Sequence, residues 1–548
     1  MNQTRRPKSV DKLHALAKQV VDIHPTLDNV TNRLNGGFTG QLRDPFLFAD
    51  MKAVVKRFVQ AVEDSETIVV FADFDTDGIP AAAMLHDLLT TVGHDDFTVY
   101  IPQRDVEGFG LKPDQVAEFV DEDADLLVTV DCGIRSQEAI AQARESGTDV
   151  IVLDHHVPAG TLPEANQIIN PALPESDYPF ADLAGGGVVL KVLQALQEGG
   201  RLDVPDNFCK GQLGLAAIAT ISDMVPLVGE NHTIARFGLK ILRNTTRPGL
   251  QALYEKGRIH GGELTAVDVG FTIGSHINAA SRLDQPKLAY KLLVTRSHKH
   301  GKQLADTLHS VYRERKRKTK KLKTAVFQKV DTQATNAVVS GSPEWKPALL
   351  GPVAHRLTDT TGKPVFLWGQ ANGNRKGSAR ATCHDVVAML QEVADGLIGY
   401  GGHKLAGGFE LDGSPTPEFR DGLEKAVDQF QIESTEDIEP VPAELSDLNW
   451  ALYNSLEALG PFGAGCPQPL FRVSNVQVED VRTFGSDNGH VGYTVSSDDC
   501  RQDTVAFFAN DKMKNITAGD TISIVGALEK TTFGFDKKLR FRMELVSR

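Results

Sequence analysis

The stretch IVVFADFDTDG, residues 68–78, decides how the chain reads. Five apolar residues in succession, closed by alternating acids and a glycine, are the pattern of a strand buried on both faces. The same pattern recurs downstream. LLVTV at 126–130 ends in Asp131, and VIVL at 150–153 ends in Asp154-His155-His156. Segments such as IPAAAMLHDLLTTV and IRSQEAIAQARESG lie between these runs and have helical periodicity. Strands alternating with helices predict an α/β domain built on a doubly wound parallel sheet.

The acids carry the chemistry. Asp73, Asp75 and Asp77 follow the first strand, Asp131 the second and Asp154 the third, while Asp223 follows the apolar run LAAIATIS. Ligands of open α/β sheets bind at the carboxyl ends of the strands. Carboxylates gathered along that edge repel one another unless a cation sits among them. A single Asp after a strand is usually a turn or helix cap, but acids at three successive strand ends form an improbable set of caps. Oxygen ligands with imidazole and no thiolate suit Mn²⁺ or Mg²⁺. Two such ions activate a water and neutralise the attacking and leaving oxygens at phosphorus, which is phosphodiester hydrolysis.

The rest of the chain sets the frame. Its 548 residues exceed one ordinary core. With 41% hydrophobic and 24% charged residues it has the composition of a globular protein. No apolar run approaches the roughly 20 residues of a membrane helix, and MNQTRRPKSVDKLHALAKQ lacks the apolar stretch of a signal peptide, so no membrane association and a cytoplasmic location are expected. The five cysteines show no metal-binding spacing and read as reduced thiols. A formal net charge of −14 excludes a uniformly basic surface.

The expected segments are a helical N-terminus (1–66), the α/β domain (67–284), an uninterrupted helical pattern joining two domains (285–330), a second α/β domain (331–435), an acidic linker with a short helix (436–464), and short alternating strands forming a small β-barrel (465–548). AGGGVVLKVL at 184–193 either cradles a phosphate at a helix N-terminus or lets that helix pack closely.

VVFADFDTDG, VTVDCG, VLDHH and ATISDMVPL together resemble the four ordered motifs of the DHH phosphoesterase superfamily. The resemblance implies that Asp75, Asp77, Asp131, His155 and Asp223 are metal ligands, with Asp131 bridging. Asp73, Asp154 and His156 also fill motif positions and are expected to serve catalysis, by ligation, by orienting a ligand or by touching substrate. Pyrophosphatase-like and cyclic-nucleotide-cleaving branches carry a His where this chain has Phe71, which points away from them.

Further segments, RDPFLFADM, IPQRDVEGFGL and GENHTIARFGLKIL, resemble the RecJ family in the same order. GSHINAASRLD is similar to that family's GPRINAAGRL: it keeps Asn278 and Arg282 but has Ser275-His276 for Pro-Arg and Ser281 for Gly. His276, Asn278 and Arg282 are thus expected to meet substrate, His276 as a weaker, pH-dependent cation. RKGSARA and YGGHKLAGGF resemble the DHH-associated domain. Without the resemblance they read as glycine-rich tight turns; with it, Ser378, Arg380, Gly402 and His403 are expected to hold a terminal phosphate or nucleotide.

The basic run YRERKRKTKKLK (312–323) reads either as a solvated helix face or as a wall of a strand-binding cleft. The C-terminal segment resembles the family's oligonucleotide-binding fold, with Phe507, Phe508 and Phe533 as candidate stacking residues. The resemblance implies a metal-dependent 5′-to-3′ exonuclease on single-stranded DNA, acting in recombination and repair beside single-strand-binding protein and a helicase, as a monomer. The alternatives are an RNA or short-oligonucleotide phosphodiesterase of the superfamily and an inactive scaffold.

Overall fold

The structure, a computed structural model, describes residues 7–27, 30–38, 40–158, 160–330, 336–432, 439–485, 489–533 and 536–547. The chain divides into two units, one of residues 45–223 and 238–435, the other of residues 1–44, 224–237 and 436–548.

The larger unit holds two sheets. In the first, β1 (Ile68–Ala72), β2 (Phe97–Tyr100), β3 (Leu126–Val130), β4 (Asp149–Leu153) and β5 (Gln167–Ile169) run in the order β2-β1-β3-β4-β5. All four pairings are parallel. β1 and β3 are buried at every residue, which is why their sequences do not alternate. Phe71 is part of this packing, stacked on Tyr100 at 5.8 Å. The chain leaves β1 for one neighbour and returns to the other side for β3. The strand order therefore reverses between β1 and β3, a switch point where a crevice opens at the carboxyl ends.

The second sheet contains β6 (Val338–Gly341), β7 (Val365–Ala371), β8 (Asn374–Arg380), β9 (Leu397–His403) and β10 (Ala406–Leu411), in the order β6-β7-β8-β10-β9. RKGSARA and YGGHKLAGGF, which read as tight turns on composition alone, are mostly antiparallel strands of this sheet. Glycine has a packing role there: a Cβ on Gly377 would lie 2.1 Å from the ring of its cross-strand partner Phe409. Asn372 and Gly373 turn β7 into β8 with φ of 50° and 84°, as a two-residue hairpin requires.

The helical pattern of 285–330 is broken, contrary to the sequence reading. One helix covers Pro286–Val294 and a second His298–Lys329, because Thr295 is extended and the Ser297 side chain caps the second helix by accepting from His300 N–H. The 32-residue helix packs on elements of the first domain and on the helix Leu350–Thr361 of the second.

In the smaller unit, β11 (Val441–Pro442) lies beside β12 (Phe471–Phe484), followed by β13 (His490–Ser497), β14 (Cys500–Ala506), β15 (Thr521–Phe533) and β16 (Asp536–Ser547). The order β12-β13-β14-β16-β15 is closed by pairing of β15 with β12, giving a five-stranded barrel. Among the described residues no helix is long and apolar enough to cross a membrane.

Candidate metal centre

Each acid at a strand end extends its ladder by one hydrogen bond. Asp73 N–H donates to Val130 O (3.1 Å), Asp131 N–H to Leu153 O (2.8 Å) and Asp154 N–H to Ile169 O (3.1 Å). That shared geometry brings the carboxylates to one edge of the sheet. Asp75 does act as a cap, its Oδ1 accepting from the N–H groups of Asp77 (2.8 Å) and Gly78 (3.2 Å) at the start of the helix Gly78–Thr91. Asp223 arrives from elsewhere, at the C-terminal end of the helix Phe208–Ser222.

His155 stands among these groups. Its Nε2 lies 3.2 Å from Asp131 Oδ1, 3.6 Å from Asp77 Oδ2 and 3.7 Å from Asp223 Oδ2. Three ligand-like groups overlap: Asp73, Asp75 and Asp131; Asp77, His155 and Asp223; and Asp131, His155 and His156. Asp131 and His155 each belong to two of them. Asp73, left open in the sequence reading, stands in a group beside Asp75 and Asp131.

Whether a cation fits here is decided by unsatisfied atoms. Asp73 Oδ1, Asp131 Oδ1 and Asp223 Oδ2 are buried and accept no hydrogen bond among the described residues. Buried carboxylate oxygens in that state are costly unless they bind a cation. Burial, then the charge of Asp75, pushes Asp73 well above the usual carboxylate range. Asp131 and Asp223 rise for the same first reason, followed by the charge of Asp77. Burial and Asp75 raise Asp77 to about 7. The donor set of carboxylates and imidazoles without thiolate suits Mn²⁺ or Mg²⁺.

Asp154 is different. Burial would raise it, but its contacts with His156 and a backbone amide outweigh that and hold it at about 2. Its Oδ1 accepts from the backbone N–H of His155 (2.7 Å) and of His156 (3.0 Å), with His156 Nδ1 at 2.8 Å, and its Oδ2 accepts from Ile134 N–H (3.0 Å). With both oxygens engaged, it fixes the two histidines. Asn170, not anticipated from sequence, donates to the carbonyl of His156 (2.9 Å).

The AGGG segment packs closely, since a Cβ on Gly186 would lie 2.4 Å from Ala219 Cβ, and its helix end is taken by the chain itself. The N–H groups of Gly185 and Gly186 at the start of the helix Gly185–Gly199 donate to Asp77 Oδ2 (2.6 Å) and Oδ1 (2.7 Å), so a carboxylate of the chain itself occupies that helix end.

Beside the acids lies a group of guanidiniums. Arg282 is held well below the usual arginine range by burial, then by the charges of Arg104, Arg315 and Arg380, with Asp75 opposing. Arg282 donates to the carbonyl of Ala348 in the second domain. Burial, followed by Arg104, lowers Arg380 to about 10. A Cβ on Gly351, in the first turn of Leu350–Thr361, would stand 3.0 Å from Arg380 Nη2 and 3.4 Å from Ser378 Oγ. Arg104 and Arg315 were not singled out individually in the sequence, because only the fold shows that these charges converge.

His276 needs correction. It is buried, with Nδ1 2.7 Å from Thr272 O, Nε2 3.0 Å from His309 Nδ1, and its ring stacked on Tyr312 at 4.0 Å. Burial lowers it to about 4, so it is neutral near pH 7 and presents no cation. Asn278 is half-buried on the same helix, Ser275–Arg282. Ser281 donates to the carbonyl of Phe74, tying that helix to the first acidic loop. Gly402 pairs with Gly407, and the side chain of His403 lies outside the described residues. In the barrel, Phe508 is 65% exposed and Phe507 carries Arg540 over its ring at 5.2 Å, while the side chain of Phe533 also lies outside the described residues.

Comparison with known proteins decides the family. The DHH family N-terminal domain matches residues 67–220, and the RecJ OB domain matches residues 441–544. The single-stranded-DNA-specific exonuclease RecJ of Salmonella typhimurium is 31% identical over 76% of this chain and 76% of its own length. The chain belongs to the RecJ family. The Bacillus subtilis RecJ is 33% identical over 90% of this chain, which spans 63% of that relative's length. RecJ of Thermus thermophilus, solved with Mn²⁺, superposes with a TM-score of 0.77 at 28% identity, covering 91% of this chain and 72% of that one. A second structure of that RecJ holds Mg²⁺. The fold is thus that of RecJ: a parallel-sheet DHH domain, a second α/β domain and an oligonucleotide-binding barrel.

Proposed function

We propose that the chain is a single-strand-specific DNA exonuclease that hydrolyses phosphodiester bonds from the 5′ end, using two Mn²⁺ or Mg²⁺ ions. The observation that carries this reading is the set of three buried, unsatisfied carboxylate oxygens, of Asp73, Asp131 and Asp223, in overlapping groups that share Asp131 and His155 at the switch point of a parallel sheet. Asp73, Asp75 and Asp131 would hold one ion, and Asp77, His155 and Asp223 the other, with Asp131 near enough to both groups to serve each. When bound, the ions supply Lewis-acid charge at the reacting phosphate and lower the pKa of a water.

The other side chains position and bind. Asp154 locks His155 in place and keeps His156 directed at the cluster. Arg104, Arg282 and Arg380 surround a terminal phosphate with cationic donors, assisted by Ser378 and the helix end at Gly351. Asn278 and Gly402 flank this region. The exposed Phe507 and Phe508 offer faces on which bases of the strand stack. Single-strand-binding protein and a helicase, a monomeric state and a cytoplasmic location complete the reading.

The test uses a DNA strand labelled separately at each end, beside a matching RNA and a duplex, with Mn²⁺, Mg²⁺ or chelator. Metal-dependent release of mononucleotides from the 5′ end of the DNA strand alone is expected. Preferential loss of RNA or of very short oligonucleotides overturns the substrate, and binding without cleavage overturns the enzyme.

A further inference from the structure

Two of the arginines beside the acids have an aspartate close by in sequence: Asp105 follows Arg104, and Asp284 lies two residues after Arg282. Both carboxylates converge on one ammonium of the second α/β domain. Lys346 Nζ is 2.9 Å from Asp105 Oδ2 and 2.9 Å from Asp284 Oδ2, while Asp105 N–H donates to Asp284 Oδ1 at 3.0 Å. Burial lowers the Lys346 ammonium, but its hydrogen bonds to Asp105 and Asp284 outweigh that and raise it above the usual lysine range. Further contacts flank the bridge. Asn372, in the turn between β7 and β8, donates to Asp105 O at 2.7 Å, and Arg282 donates to the carbonyl of Ala348, two residues beyond Lys346. Asp284 takes a left-handed φ of 58°, which a residue other than glycine keeps only where its surroundings impose it.

The same two segments reach the acidic loop from their other side. Arg104 lies over the ring of Phe74, between Asp73 and Asp75, at 5.1 Å, and Ser281, next to Arg282, donates to the Phe74 carbonyl. The loop carrying Arg104 and the helix carrying Arg282 are thus each gripped twice, by the acidic loop and by Lys346. Without the ammonium, two carboxylates would face each other, and their repulsion would push these segments apart. We propose that Lys346 is a positioning residue for recognition of a 5′-terminal phosphate, holding Arg104 and Arg282 in one register by bridging Asp105 and Asp284. This rests on the proposed role of those two arginines as phosphate donors. Lys346 acts through the aspartates and has no contact with the phosphate to make.

The experiment compares binding of a 5′-phosphorylated and a 5′-hydroxyl DNA strand to the full chain, by fluorescence anisotropy in chelator so that cleavage is not needed. Lys346→Met keeps the aliphatic stem and removes the charge. It is expected to weaken the phosphorylated strand about 10-fold and the hydroxyl strand less than about twofold, with the melting temperature within about 3 °C of wild type. Lys346→Arg, which can still bridge two carboxylates, restores the preference for phosphate. Asp105→Asn weakens the phosphorylated strand as well, and combining it with Lys346→Met adds nothing to Lys346→Met alone. Arg104→Ala is the reference. If it abolishes the preference for phosphate while Lys346→Met keeps it, the bridge positions nothing and this proposal alone falls. Equal losses on both strands without rescue by Lys346→Arg mark a purely structural contact and also overturn it. A wild type that does not distinguish the two strands overturns the phosphate role of the arginines and this proposal together. Mononucleotide release in Mn²⁺, measured in parallel, reports on the proposed function independently.

Discussion

The backbone N–H of Gly185 lies 2.6 Å from Asp77 Oδ2, so a helix of the DHH domain begins on a carboxylate of the candidate metal centre. The contact requires glycine: a Cβ there would stand 2.8 Å from Asp131 Cβ and 3.0 Å from its Oδ1. Gly185→Ala is expected to push Asp131 from its position and lower turnover about 100-fold, with weaker Mn²⁺ binding in the same protein. Near-normal steady-state turnover would show that Asp131 tolerates the shift.

Asp131 itself gives a stability signature that separates a metal ligand from a structural acid. Its carboxyl is buried among Asp77, Asp75, Asp73 and Asp223, and burial followed by their charges disfavours its ionised form. Asp131→Asn relieves that repulsion, so the metal-free protein is expected to melt about 2–4 °C higher than wild type. The same variant should lose the rise in melting temperature that Mn²⁺ gives the wild type. Calorimetry with and without chelator checks both halves, and a lower metal-free melting temperature would point to a structural role.

Much of this was legible in the sequence because parallel strands covered on both faces leave unmixed apolar runs. IVVFA and LLVTV mark β1 and β3 residue for residue, and an Asp directly after such a run has only the sheet edge to occupy. What stayed hidden depends on distant contacts. β2 (FTVY) and β5 (QII) are short, only partly buried edge strands with weak patterns. The amides of Gly185 and Gly186 suit a phosphate as well as a carboxylate until Asp77 is seen beside them. His276 was read as a cation because nothing local reveals that Tyr312 and His309 cover it.

Arg380 is expected to act on binding rather than chemistry. If it grips a terminal phosphate, Arg380→Ala raises KM on 5′-phosphorylated single-stranded DNA about 10- to 100-fold and leaves kcat within a few fold. On a 5′-hydroxyl strand the two proteins should converge. Equal losses on both strands would place Arg380 in the packing between β8 and its neighbours.

His276 sets an acid limit on stability. Its folded value of about 4 lies below the usual 6.5, because burial, then the charges of His309, Arg315 and Lys316, disfavour the cation against the opposing Thr272 carbonyl. The neutral ring favours the fold fully above about pH 6.5, and this contribution, about 3 kcal/mol at most, is lost as pH falls toward 4. The difference in unfolding free energy between wild type and His276→Gln should therefore shrink across that window. A difference independent of pH would contradict the buried neutral imidazole.

The central claim is that the carboxylates around His155 hold two catalytic ions. Titration of Mn²⁺ followed by paramagnetic resonance, with mononucleotide release from single-stranded DNA measured on the same samples, tests it most directly. About two ions per chain are expected in the wild type, with both the bound ions and the cleavage lost in Asp131→Asn. Full binding and turnover in Asp131→Asn, or cleavage that persists in chelator, would contradict the account.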